Sequence, residues 1–147
     1  MIKKNQSVEI EITGITSEGN GVGRAENMAV FVPLTAVGDY VRVKIVKVLK
    51  SYAFGILEQI LRPSENRIEP DCPVFEKCGG CTFRHISYQA ELQIKNDFIK
   101  DAFKRIGGLN PDFEEISGCD EIDYYRNKAQ YPVSEQDGKA VCGFYSR

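Results

Sequence analysis

Three cysteines, Cys72, Cys78 and Cys81, fall within ten residues at the spacing C-x5-C-x2-C. Thiolates are soft ligands, and the x2 step lets two sulfurs converge on one metal or cluster. Gly79 and Gly80, between the last two cysteines, remove side chains where the backbone must wrap closely, and their N–H groups are free to bond sulfur. Spacing alone leaves the metal open. Zinc normally asks for a second Cys or His pair, and the one histidine, His85, stands four residues past Cys81. An iron–sulfur cluster needs a fourth cysteine, which can lie far away in sequence. The odd total of five cysteines, in a chain that opens without the apolar stretch of a signal peptide, disfavours a disulfide framework and gives a cytoplasmic location by default. Cys119 and Cys142 read as ordinary thiols that behave as small hydrophobes.

The elements around this loop follow from periodicity. In residues 7–62, Val8, Ile10 and Ile12 alternate with Glu9, Glu11 and Thr13, the period-2 pattern of a half-buried strand. A turn, Glu18-Gly19-Asn20-Gly21-Val22-Gly23-Arg24, leads to a short apolar strand, Ala29–Val32, stopped by Pro33. Gly38-Asp39 opens a third run, in which Val41, Val43, Ile45 and Val48 interleave with Arg42, Lys44 and Lys47. A last strand covers Tyr52–Leu57. Short strands at about ten-residue spacing predict a small five-stranded antiparallel, OB-like barrel over residues 1–62. Gly19-x-Gly21-x-Gly23 opens no helix, so it reads as a barrel turn needing positive φ and not as a dinucleotide loop. Beyond Pro63, residues 63–147 form a second unit: the cysteine loop, a helix and a hairpin. Ser87 is the expected helix N-cap. Leu92, Phe98, Ile99, Ala102, Phe103 and Ile106 recur at helical spacing until Gly107-Gly108. Tyr125–Val133 and Lys139–Ser146 are expected strands around Asp137-Gly138, a hairpin signal. The fold class is mainly β plus α+β.

The formal charge of −2 excludes a strongly basic nucleic-acid binder, but it is divided. Residues 1–62 carry eight basic and six acidic side chains, while residues 63–147 carry eleven and fifteen. Any RNA contact must come from a local patch. The candidates are Arg24, Lys47 and Lys50 near barrel loops, with Tyr52 and Phe54 as stacking surfaces. Arg126, Lys128 and His85 join them in the second unit, where Asp120, Glu121 and Asp123 are competing partners for the two cations and a structural hydrogen-bonding role competes for His85. No apolar run approaches the roughly 20 residues that span a bilayer, so no membrane partner is expected.

The string Cys-Pro-x-Phe-x-x-Cys-Gly-Gly-Cys, followed by Arg84-His85-Ile86, resembles the iron–sulfur loop of bacterial 23S ribosomal RNA uracil-5-methyltransferases. Residues 7–62 are similar to the TRAM domain that precedes the loop in that family, through Gly19–Arg24, Val30-Phe31-Val32-Pro33, Gly38-Asp39 and Tyr52–Gly55. Tyr125-Arg126-Asn127-Lys128 and Gly143-Phe144-Tyr145 match the start of its central domain. The resemblance implies an RNA-binding barrel, a 4Fe-4S cluster held by Cys72, Cys78 and Cys81, and ribosomal RNA as partner of a monomeric parent. It further implies that the fourth cluster ligand, the catalytic cysteine and the S-adenosylmethionine-binding domain lie beyond Arg147. On that expectation these 147 residues are inactive alone and none of their cysteines is catalytic. A family position usually held by Gln is Arg84 here. The reading that competes with this one is a self-sufficient RNA-binding protein with a structural zinc or cluster.

Overall fold

A computed structural model describes residues 2–147. Five strands, β1 (Ser7–Ile15), β2 (Gly21–Ala25), β3 (Met28–Val32), β4 (Tyr40–Val48) and β5 (Tyr52–Arg62), close into a barrel in the order β1-β2-β3-β5-β4. Alternation drives it. Ile10, Ile12, Val30, Val32, Val41, Val43, Ile45 and Ala53 point inward and are buried together with Ile2. Burying such side chains stabilises by about 1.5–3 kcal/mol each relative to exposure, and closure leaves no free sheet edge. The barrel is not antiparallel throughout, as the sequence led us to expect. β3 and β5 pair in parallel, Ala29 opposite Tyr52 and Phe31 opposite Phe54. The reason is topological: β4 pairs with β1 on one side and β5 on the other, so β5 meets β3 running the same way. Val48 also departs from expectation. A register irregularity between Ile45 and Lys47 brings Val48 opposite the inward-facing Ala53, but as the last residue of β4 it stays at the surface.

The glycines in and just before β2 serve two different ends. Gly19 takes the predicted left-handed conformation, φ 81°. Gly21 sits in the strand proper, where a Cβ would come within 2.0 Å of Thr35 Oγ1. Close packing, not backbone freedom, requires glycine there.

A buried ion pair ties the barrel to the segment that follows it. Asp39 is fully buried, and its carboxylate accepts from Ala36 N (2.7 Å), Ser64 N (2.8 Å), Arg67 Nε (3.1 Å) and Arg67 Nη2 (2.5 Å). Burial alone would raise the Asp39 pKa. The Arg67 bonds and the two backbone N–H groups outweigh it and hold the carboxyl below its ordinary value.

Helix α1 (Tyr88–Arg105) starts at the predicted cap, Ser87, whose hydroxyl accepts from Ala90 N at 3.4 Å. Glu91–Lys95 and Asp101–Arg105 pairs line its outer side. Ile94 anchors it, packed with Ala36 and Ile86 beside Ile15, Phe83 and Phe98. Beyond that contact the apolar stripe is only partly covered: Ile99, Phe103 and Ile106 are 48%, 42% and 88% exposed. The final elements, β6 (Val133–Gln136) and β7 (Lys139–Cys142), form a hairpin whose Asp137 and Gly138 both have positive φ. The turn is as predicted and the strands are shorter. Residues 125–132 form no strand, since no described segment offers them a ladder.

Candidate nucleic-acid interface and cysteine loop

The outer face of the barrel carries an aromatic cluster. Inward placement of Val30, Val32 and Ala53 turns Phe31, Tyr52 and Phe54 outward across the β3–β5 seam. Their ring centroids lie 5.5, 5.7 and 5.6 Å apart, with Tyr52 edge-on to both phenylalanines. Tyr52 and Phe54 are exposed despite this mutual contact. Lys47 stands opposite Phe54 in the β4–β5 register, and Lys50 occupies the turn between those strands. Arg24, on β2, donates from Nη1 to the Asn27 carbonyl at 3.3 Å and stays at the surface. All three cations are exposed. Arg42, by contrast, is engaged by Glu9 at 2.9 Å and by Gln59. The patch therefore joins π faces for stacking to cations for phosphate, the combination used on single strands.

The other expected RNA contacts divide. His85 does not qualify: it is 1% exposed, and Nε2 lies 3.1 Å from the Thr35 carbonyl. Because a carbonyl only accepts, Nε2 carries the proton and Nδ1 is the lone-pair nitrogen, which has no partner among the described residues. Burial pushes the imidazole below its ordinary pKa against the opposing Thr35 bond, so it stays neutral near pH 7. Arg126 and Lys128 are exposed, Arg126 stacking on Tyr125 at 5.8 Å and donating to its hydroxyl at 3.4 Å. One of the three competing acids is taken elsewhere: Asp123 pairs with Arg84 at 3.0 Å, and Arg84 also holds Asp71 at 2.5 Å. Arg84 thus fastens the start of the cysteine loop to the segment after α1.

In the cysteine loop, Cys78 N donates to Val74 O at 2.8 Å and Phe75 N to Cys72 O at 3.1 Å, folding Cys72–Cys78 into tight turns. Phe75 plugs the loop into the body, 4% exposed, with its ring 5.5 Å from that of His85. All five cysteines are free thiols. Gly80 N donates to Cys78 Sγ at 3.4 Å, an N–H···S bond of the kind that surrounds ligating sulfur. Neither Gly79 nor Gly80 has positive φ. A Cβ on Gly79 would lie 2.7 Å from Tyr145 O, and one on Gly80 2.9 Å from the Phe144 ring. In kind, then, these donors fit a thiolate-bound metal or cluster. In arrangement they stand open, since among the described residues no three His, Cys, Asp or Glu side chains are gathered into a metal-holding group. Cys142 lies on β7 and Cys119 bonds Glu121 O, both exposed and apart from the motif.

The model of the TRAM domain family matches residues 3–57. The barrel is a TRAM domain. The match continues past it: the whole chain is similar to proteins named RNA methyltransferases. It is 42% identical to an uncharacterized RNA methyltransferase of Clostridium tetani over 99% of this chain and 32% of that protein. An uncharacterized RNA methyltransferase of Listeria monocytogenes is also 42% identical, over 100% of this chain and 32% of its own length. The chain thus spans about one third of the curated relatives it matches. Among solved structures, a Pyrococcus abyssi tRNA (uracil-54, C5)-methyltransferase in complex with S-adenosyl-L-homocysteine aligns at 26% identity, covering 69% of this chain and 22% of that one, with a loose TM-score of 0.41.

Two residues of these sites escaped the sequence reading. Phe31 of the TRAM barrel completes the aromatic cluster, and strict alternation after Val30 would have turned it outward. Ile94, the anchor of α1, lies four residues before Phe98 and belongs on the same stripe. No helix is long and apolar enough to cross a membrane among the described residues.

Proposed function

We propose that this chain is the RNA-binding and iron–sulfur portion of an S-adenosylmethionine-dependent enzyme that methylates C5 of uridine in 23S ribosomal RNA. The observation that carries the reading is similarity along the entire chain, TRAM barrel and cysteine loop included, to proteins named RNA methyltransferases. In this reading the barrel grips RNA. Phe31, Tyr52 and Phe54 supply stacking faces while Arg24, Lys47 and Lys50 meet phosphates, with Arg126 and Lys128 adding contacts from the second unit. Cys72, Cys78 and Cys81 would hold the cluster, which supplies structural order to the loop between the two units. S-adenosylmethionine supplies the methyl group at a domain that these residues only help to place on the substrate.

The test is methyl transfer by the full-length protein from labelled S-adenosylmethionine to 23S ribosomal RNA, with the modified base read by mass spectrometry of the digested RNA. A 5-methyluridine in 23S RNA is expected; methylation of transfer RNA alone, or at another base, sinks the substrate assignment. On the binding side, Tyr52→Ala and Phe54→Ala should each weaken RNA binding by about 1–3 kcal/mol. Lys47→Gln and Lys50→Gln should each flatten the salt dependence by about 0.7 in log–log slope for a single strand.

A further inference from the structure

The cysteine loop is held by a segment far from it in sequence. An antiparallel bridge joins Cys78 to Ser146, Gly79 N donates to Tyr145 O at 2.9 Å, and Arg147 N donates to Lys77 O at 2.9 Å. This short ladder delivers the Arg147 side chain beneath the motif. Its Nε donates to the Cys78 carbonyl at 3.0 Å, and its Nη2 donates to the Cys81 carbonyl. The guanidinium carbon lies 4.8 Å from the centroid of Phe75, the ring between Cys72 and Cys78. One planar group thus touches the backbone of two motif cysteines and the side chain that separates the other pair.

We propose that Arg147 is a positioning residue of the metal loop, fixing the backbone of Cys78 and Cys81 in the open arrangement from which their sulfurs and that of Cys72 would be drawn to one centre. The inference rests on the metal-binding reading of the three thiols. Its physical basis is the cost of ordering. Three thiolates on a ten-residue loop without regular structure must each lose freedom to meet at one ion, and a loop already anchored loses less on binding. Arginine suits the task because its fork of fixed donors spans two carbonyls while its flat face stacks on an aromatic ring. A lysine ammonium, a point charge on a flexible stem, cannot do both. The Gly79-Gly80 pair belongs to the same device. With ordinary φ, these residues are glycine because the Phe144–Tyr145 backbone and ring pass too close for any Cβ.

The experiment is anaerobic reconstitution of the full chain with ferrous iron and sulfide, and in parallel with zinc, comparing the wild type with Arg147→Gln and Arg147→Lys. Bound metal, labile sulfide and the rate of metal loss to a chelator are measured beside the melting temperature. The expected result is that both variants fold with the wild-type melting temperature but lose metal roughly 10–100-fold more readily, the usual effect of removing a group that orients ligands. The thiolate charge-transfer spectrum should shift in both variants. Equal retention and an unchanged spectrum in both would overturn the role of Arg147 while leaving the metal reading intact. A wild-type chain that takes up neither iron nor zinc overturns both. If Arg147→Lys behaves as wild type, charge alone suffices and the two-carbonyl clamp is wrong.

Discussion

The TRAM barrel and the stretch from Ile99 to Arg147 draw on similar residues and reach opposite outcomes. In the barrel, Ile12, Val30, Val43 and Ile45 are at most 1% exposed. From Ile99 onward no residue is buried, although the stretch contains Phe103, Ile106, Leu109, Tyr131, Val133 and Phe144. Apolar content is therefore not what separates the two. The barrel closes on itself, so each inward side chain finds partners within about fifty residues of chain. The later stretch has one free helix face and an isolated hairpin, and a two-stranded hairpin alone is marginal in water. Exposed apolar groups on this scale are the kind found at interaction surfaces and at aggregation liabilities.

That contrast is open to direct attack. The largest effect is expected at the buried pair. Arg67→Ala leaves the Asp39 carboxylate buried without its cation and should destabilise the barrel by about 3–5 kcal/mol in urea unfolding. If the loss stays below about 1 kcal/mol, the pair is not what fastens residues 64–67 to the barrel. A change of similar size is expected for Ile12→Ala, about 2–5 kcal/mol from lost burial and the cavity left behind.

Acid should act on the same pair. Asp39 has its folded pKa depressed, so its contribution is fully present above the unfolded carboxyl pKa of about 3.9 and is lost as pH falls through the lower folded value. His85 is likewise depressed, by burial, so it adds a milder loss that begins as pH drops below the unfolded imidazole value of about 6.5. Stability measured against pH should therefore decline gently below neutrality and then steeply below about 4. Asp39→Asn should be weaker at neutral pH yet lack most of the steep part. A variant with the wild-type slope would assign the acid sensitivity elsewhere.

Local opening should follow the burial map. Trypsin is expected to cut first at Arg126 and Lys128, while amides of Val41–Ile45 and Ala53 exchange last. Simultaneous loss of both regions would show one cooperative unit. At the smallest end, Ile106→Ser, at a position 88% exposed, should shift stability by less than about 0.5 kcal/mol and improve solubility. A loss comparable to that at Ile12 would mean that the stripe is covered in solution.

What was legible in the sequence is what local physics decides. The alternation at Val8–Ile12 and Val41–Ile45, the cap at Ser87 and the turn at Asp137-Gly138 each depend on residues within a few positions of one another. What was not legible depends on distant partners. Nothing near Asp39 announces Arg67, twenty-eight residues on, and nothing near His85 announces the Thr35 carbonyl that removes it from the surface. Strand pairing at the β3–β5 seam is likewise fixed by closure, not by either strand. The cysteine motif sits between these cases: its spacing announces the chemistry, while the clamp on it comes from residues 144–147.

The parallel seam also sets an order of events. β1–β3 can form as a meander and β4–β5 as a hairpin, each from neighbours in sequence, but the seam needs both halves complete. Phe31 belongs to one half, Tyr52 and Phe54 to the other. The chain has no tryptophan, so Tyr52 is one of only seven tyrosines giving its intrinsic emission. During refolding, the lysines of the β4–β5 hairpin are present before the three rings meet. The β4–β5 hairpin thus carries its lysines and two of the three rings from the start, and closure adds Phe31 to complete the stacking surface.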